Sequence, residues 1–230
     1  MADVDRFGTP LYTLGEAGHY LGLSKTTLAR WAQGYEHGAA IVTTVPGQPR
    51  GSAVIPFVGL AEGLVLAVIR RSGVPLQRVR PALDRLRREL GLTHALASKA
   101  LYTNGAEVLY DFAEQQGDTP EARSARQLVV VRNNQHVFTE VVDYYLHRVE
   151  FAPDGYARVI PLPRYEDAEI VADSRRGFGQ PTFVHGGARV EDVLGLFWAG
   201  ESLATVSEEF GVPVNQLEDA LRVATYQPAA

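Results

Sequence analysis

The segment YTLGEAGHYLGLSKTTLARWAQ, residues 12–33, decides how the N-terminal part of this chain is read. Thr13 followed three residues later by Glu16 is a capping box: the threonine oxygen accepts from a free backbone N–H, and the glutamate reaches back. Leu14, Ala17, Gly18 and Leu21 recur at helical spacing and leave one narrow apolar face. Gly22 suits the left-handed conformation that ends a helix. Leu23 is an apolar anchor in the turn, and Ser24 is a good N-cap for a second helix. In that second helix Leu28 and Trp31 face inward, while Lys25, Thr26, Ala29 and Arg30 face outward. The pattern is that of a helix-turn-helix whose second helix enters a DNA groove, so that Ser24, Lys25, Thr26, Thr27, Ala29 and Arg30 are the expected DNA-binding residues. Lys25 and Arg30 can neutralise phosphates or read guanine, Thr26 can hydrogen-bond, and the Ala29 methyl can touch a thymine methyl. The competing reading is a plain helical hairpin with a solvated face; the two caps, the turn spacing and the short second helix favour DNA. His19, on the polar side of the first helix, fits a surface or phosphate contact.

The net charge of −5 is distributed unevenly. Residues 1–91 carry eleven Lys and Arg against seven Asp and Glu, a balance of +4, whereas residues 92–169 sum to −5 and residues 170–230 to −4. Positive charge therefore surrounds the helix-turn-helix, where a DNA footprint belongs. There is no cysteine, which excludes disulfides, a thiol nucleophile and cysteine-based zinc sites. No apolar run has membrane-spanning length and the N-terminus has no signal-peptide pattern, so a cytoplasmic protein without membrane contact is expected.

Outward from the opening segment, two β-branched runs, residues 41–45 and 52–55, flank a Pro/Gly cluster and read as a hairpin wing. Arg50 at its tip is either a phosphate or minor-groove contact or an incidental surface arginine. Residues 57–72 form a strongly apolar helix. Residues 75–90 form another, in which Leu76, Val79, Leu83, Leu86 and Leu90 make a narrow seam better suited to intramolecular packing than to an independent coiled coil. Its arginines, Arg78, Arg80, Arg85, Arg87 and Arg88, are a solvated face or an extension of the DNA footprint, with a lean to the latter. In the middle of the chain, residues 100–111 around Asn104-Gly105 read as a tight hairpin. Residues 114–125 read as a loop, 128–132 as a strand, 137–146 as a short helix, and 149–160 as a second hairpin. Residues 161–169 look like a linker. Three helices follow, over residues 190–198, 202–210 and 213–222. The last two again resemble a helix-turn-helix, but Glu208, Glu209, Glu218 and Asp219 would face phosphates, so a protein-binding role fits better.

The predicted class is α+β, mainly α. It comprises an N-terminal winged helix-turn-helix over residues 1–91, a small central sheet-containing insert over 92–164 that either pairs with a second copy or joins the flanking domains, and a C-terminal three-helix domain over 170–230. No catalytic constellation stands out, and the six histidines are scattered without metal-ligand spacing, so no enzyme activity, metal or cofactor is expected.

Residues 12 to about 90 resemble the MerR-type winged helix-turn-helix, matching its motif at Tyr12, Thr13, Gly15, Glu16, Ala17, Gly22, Ser24, Thr27, Leu28 and Trp31. At Ala29 and Arg30 the order departs from that family, which usually has an arginine one position earlier. Residues 177–222 are similar to a three-helix family common in prokaryotic antitoxins encoded beside PIN-like ribonuclease toxins. The matching elements are Gly179-x-Pro181, Arg189-Val190, Ala199-Gly200-Glu201, Phe210-Gly211-Val212 and Leu217 to Arg222, with a longer loop before Arg189. Together the two ends resemble a VapB-type antitoxin. The resemblance implies two activities: repression of its own operon through double-stranded operator DNA, and capture of a PIN-like, VapC-type toxin by a homodimer. Phe197, Trp198, Phe210, Glu208 and Glu209 are the candidate partner-binding residues. The alternative is a MerR-like ligand-responsive regulator without a toxin.

Overall fold

A computed structural model describes residues 4–34, 39–132 and 135–225; the side chain of Val79, in the predicted seam, lies outside the described set. Helices α1 (Leu14–Tyr20) and α2 (Lys25–Gln33) form the expected pair. Both halves of the capping box are made: Thr13 Oγ1 accepts from the Glu16 N–H at 3.1 Å and the Glu16 carboxylate accepts from the Thr13 N–H at 2.8 Å. The Ser24 hydroxyl caps α2 by accepting from the Thr27 N–H at 3.2 Å. Each such cap is worth about 1 kcal/mol. Between the helices Gly22 adopts φ +67°, and the Leu23 N–H folds back onto the Gly18 carbonyl at 2.8 Å.

The pair is seated on α3 (Phe57–Arg71), a helix buried continuously from Phe57 to Ile69. An all-round apolar helix of this kind belongs in a core. Two glycines let neighbours approach it: a Cβ at Gly63 would lie 2.7 Å from a Leu21 methyl, and one at Gly59 would lie 2.3 Å from the Thr43 carbonyl oxygen. The polar residue inside this helix, Glu62, is 2% exposed. Its carboxylate accepts from the Thr43 N–H at 2.7 Å and lies 3.2 Å from His94 Nδ1. That network ties the residue 41–55 segment to the short 3-10 turn at Ala95–Ala97.

The predicted wing is not a two-stranded ladder. Residues 41–55 close on themselves through the Val45 N–H to the Val54 carbonyl at 2.8 Å, while Val54 and Ile55 spend their backbone groups on Leu11 and Tyr12. Ile41 and Val42 both donate to the Trp31 carbonyl. Helix α4 (Leu76–Leu90) buries Leu83 and Leu86 and ends on Gly91 in the left-handed conformation.

The predicted hairpin at 100–111 is instead the long helix α5 (Lys99–Gln115). Asn104-Gly105 is no turn; Gly105 is buried where a Cβ would lie 2.9 Å from Leu101 and 3.1 Å from Phe138, so glycine serves close packing. Leu101, Leu109, Phe112 and Ala113 are buried at helical spacing. Much of the predicted loop 114–125 is helical too: Thr119 caps α6 (Pro120–Arg126) and Pro120 occupies its first turn, where a missing N–H costs nothing. A two-stranded antiparallel pair follows, β1 (Val129–Arg132) with β2 (Gln135–Phe138), so the helix expected from residue 137 begins at 140 as α7 (Glu140–Leu146).

A four-stranded antiparallel sheet comprises β3 (Glu150–Phe151), β4 (Ala157–Pro161), β5 (Ile170–Asp173) and β6 (Pro181–Phe183) in sequential order. The β3–β4 hairpin was expected; β5 and β6 were not. The sheet therefore takes strands from both sides of the predicted linker. That connection is itself packed, with Leu162 and Ala168 buried. Helices α8 (Val190–Trp198), α9 (Leu203–Phe210) and α10 (Val214–Thr225) complete the chain at the predicted places. The fold is mainly helical with a small antiparallel sheet, as the composition of elements in the sequence predicts. No helix among the described residues is long and apolar enough to cross a membrane.

Two glycines should respond oppositely to alanine. Gly59→Ala is expected to destabilise by about 1–3 kcal/mol, because its new methyl meets backbone. Gly195→Ala in α8, where nothing lies within 4 Å, should stabilise by about 0.5–1 kcal/mol. Urea unfolding midpoints of the two variants against the parent check both signs.

Candidate nucleic-acid interface

The second helix presents the face expected of it. Leu28 and Trp31 are buried beneath α2, Lys25, Thr26 and Arg30 are exposed, and Ala29 is half-buried. Arg50 is exposed in the loop after the Pro46–Pro49 turn. Ser24 and Thr27 are more constrained. Besides capping α2, Ser24 Oγ lies 2.9 Å from Thr27 Oγ1, and Thr27 Oγ1 also accepts from Arg70 Nη1 at 3.2 Å. The arrangement brings Arg70, from the last turn of α3, against α2. A cleft of about 280 Å³ runs between α2 and the start of α4, lined by Thr27, Arg30, Trp31, Arg70, Pro75 and Arg80 among others.

The arginines separate into two groups. Arg71 donates to the Tyr145 hydroxyl at 2.7 Å and to the Pro163 carbonyl at 3.1 Å. Arg87 donates to the Ile41 carbonyl at 2.7 Å, Arg80 to the Ala39 carbonyl, and Arg85 to Glu89 and Gln115. These hold the fold together, which narrows the footprint suggested for the α4 arginines. Lys25, Arg30, Arg50 and Arg70 form no ion pair among the described residues, so their charge is available. Sequence pattern alone does not separate Arg70 from its neighbour Arg71; the helical phase of α3 does.

His19 is half-buried beside the Tyr20 ring. Burial pushes its pKa below the ordinary value, and the nearby Arg164 guanidinium adds to the effect. Burial likewise raises the Tyr20 hydroxyl to about 12, helped by Glu16 and Glu191.

At the other end of the chain, Trp198 is 58% exposed at the close of α8, Phe197 and Phe210 are half-buried, and Glu208 and Glu209 are exposed on α9. Asp219, grouped in the sequence with outward-facing acids, is instead 1% exposed. Its Oδ2 accepts from the backbone N–H groups of Glu166, Asp167 and Ala168 at 2.9, 3.0 and 2.9 Å, and its Oδ1 accepts from Arg222. A buried carboxylate needs such partners. Phe178, absent from the sequence candidates, is 69% exposed with φ 55° between two glycines that also have positive φ. A bulky residue in that conformation is an outlier. Among the described residues no group of three or more His, Asp or Glu could hold a metal.

The family model described as "Putative DNA-binding HTH domain" matches residues 10–83. The Mycobacterium tuberculosis protein named "Putative antitoxin VapB45" is 48% identical over 226 residues, covering 94% of each chain. A second protein of that organism, "Uncharacterized protein Rv2308", is 27% identical over 222 residues, covering 92% of this chain and 88% of its own. The crystal structure of Rv2018 from Mycobacterium tuberculosis superposes with a TM-score of 0.84 at 49% identity, covering 94% of this chain and 99% of that one.

The depressed His19 pKa carries a sign. The folded protein favours the neutral ring, so the stabilisation is fully present above the unfolded-state value of about 6.5 and is lost as pH falls below it. Urea midpoints measured from about pH 7.5 to about pH 5.5 should drop more steeply for the parent than for His19→Gln. Equal slopes would contradict the assignment.

Proposed function

The chain belongs to the family of the relative named "Putative antitoxin VapB45", and from that premise we propose that it neutralises a PIN-like ribonuclease toxin and represses its own operon as a homodimer on double-stranded DNA. The observation that carries the DNA half is Lys25, Thr26 and Arg30, exposed and without ion pairs among the described residues, on a helix capped by Ser24 whose opposite face packs on α3. The recognition helix enters the major groove, with its first turn nearest the base edges, and Arg50 reaches the backbone beside it. Two copies related by a two-fold axis read half-sites about one helical turn apart, roughly 34 Å or a multiple of it.

The toxin half draws on the relative's name and on the C-terminal unit. An exposed tryptophan flanked by half-buried Phe197 is the side-chain type that dominates protein interfaces. Glu208 and Glu209 give that unit a negative rim unsuited to DNA. Because β5 and β6 belong to the central sheet, removal of residues 170–230 would break that sheet; point substitution is the cleaner probe.

A MerR-like ligand-responsive regulator without a toxin is the second reading. It draws on a cavity of about 800 Å³ between α7, the sheet and residues 163–169. Some of its charged lining residues pair with one another, Arg148 with Glu169 at 3.3 Å and Arg175 with Asp173 at 3.4 Å, while Glu166 and Asp167 on its rim are exposed.

Arg30→Ala is expected to weaken binding to duplex DNA from upstream of the gene by about tenfold in fluorescence anisotropy, the scale of one charge-assisted contact. Unchanged affinity in a folded variant would remove the recognition helix from the DNA reading. Trp198→Ala should reduce retention of the neighbouring gene product in a co-expression pull-down by at least about tenfold, as a central interface aromatic does. Full retention would move the contact elsewhere, and no captured neighbour with the parent would favour the ligand-responsive reading.

A further inference from the structure

We infer that Arg70 is a DNA-phosphate contact held in place by Thr27, so that the phosphate-binding surface combines α2 with the end of α3. The inference rests on the DNA reading above and extends it to residues outside the helix-turn-helix segment.

Three observations converge. Arg70 is exposed and forms no ion pair among the described residues, whereas Arg71 beside it is consumed by Tyr145 and Pro163. The Arg70 guanidinium donates to Thr27 Oγ1, which fixes one end of a long, otherwise free side chain against the recognition helix. Arg30 and Arg70 line the same cleft of about 280 Å³ together with Arg80 of α4, so cationic groups from three helices border one concavity. Arginine's planar fork can serve both contacts at once, with one N–H bonded to Thr27 and the others left for phosphate oxygens.

The hydroxyl arithmetic supports the same surface. Thr27 Oγ1 accepts from Arg70 and lies 2.9 Å from Ser24 Oγ, which also accepts from the Thr27 N–H. Only one of the two hydroxyl protons can lie between Ser24 and Thr27. The other is left for a donation outward at the start of α2. Thr27 is thus a positioning residue rather than a base reader. An exposed arginine–threonine bond by itself contributes little to stability, so a purely structural role for Arg70 would leave DNA affinity and its salt dependence untouched.

The test uses the full chain, a duplex from upstream of the gene and a random duplex of equal length, with anisotropy titrations across a salt series. Arg70→Gln should make the slope of log K against log salt shallower by about 0.9, the signature of one lost phosphate contact, and weaken both duplexes by a similar factor. Thr27→Val should show part of that loss, and the double variant should be no weaker than Arg70→Gln alone. Unfolding midpoints confirm that each variant is folded. If Arg70→Gln keeps the parental slope while Arg30→Ala loses slope, the Arg70 assignment is overturned and the DNA reading stands. Should the parent bind neither duplex, both fall. If Thr27→Val matches the parent while Arg70→Gln is weakened, the positioning role of Thr27 is overturned.

Discussion

The buried helix α3 is the constraint on which the other elements depend. From Phe57 to Ile69 it has no solvent face, so every neighbour must present it with apolar surface or a satisfied polar group. Glu62 meets the second condition by binding the Thr43 backbone N–H and the His94 ring, and truncating His94 would leave a buried carboxylate short of a hydrogen bond, an expensive state. Gly59 and Gly63 set how closely the neighbours come. Leu21 fills the space over Gly63, so the turn of the helix-turn-helix is positioned by a missing side chain on another helix.

A second device works in the C-terminal part. Asp219 gathers three consecutive backbone N–H groups, an arrangement that fixes the turn at residues 166–168 against α10. Arg71 holds the preceding Pro163 carbonyl from the α3 side. The connection between β4 and β5 is thereby clamped from both directions, so the three C-terminal helices are placed by hydrogen bonds to main chain rather than left on a tether. Val206, Leu217 and Ala220 are buried in the same contiguous core as α3 and the sheet, and a partner meeting α8 and α9 would meet preformed surface and would not have to supply the free energy of ordering it.

Much of this was legible because local signals and tertiary packing agreed. The α1–α2 pair has caps, turn glycine and apolar spacing that all give one answer, and α8–α10 have similarly clear boundaries at Ser202, Gly211 and Pro213. Where the reading failed, a local signal had a tertiary cause. Gly105 looks like turn chemistry but exists to admit Phe138. The β-branched runs of residues 41–55 look like paired strands, yet their backbone groups are claimed by Trp31, Leu11 and Tyr12. Strand β5 follows the acidic stretch of residues 166–169 and β6 opens with Pro181, and no tight turn joins them as Pro153-Asp154-Gly155 joins β3 and β4, so neither announces itself. At the candidate interface the outward residues of α2 follow from helical phase, but Arg70 does not: its role depends on Thr27, 43 positions earlier.

The anchoring of Tyr12 has a temporal consequence. Tyr12 opens the helix-turn-helix segment, is fully buried, and donates its hydroxyl to the Gly179 carbonyl at 2.5 Å, while Leu11 and Phe57 pack beside that same glycine. Arg6 binds the carbonyls of Tyr156 and Ala157. The acceptor for the Tyr12 hydroxyl is therefore encoded about 170 residues downstream of it. During synthesis, which proceeds from the N-terminus, the first helices emerge long before the strands that enclose their base. An unfinished chain therefore has α1, α2 and the α3 on which they are seated before Tyr12 and Arg6 gain their downstream partners, and the N-terminal segment is closed over only when the sheet and the Gly177–Gly179 turn have been made.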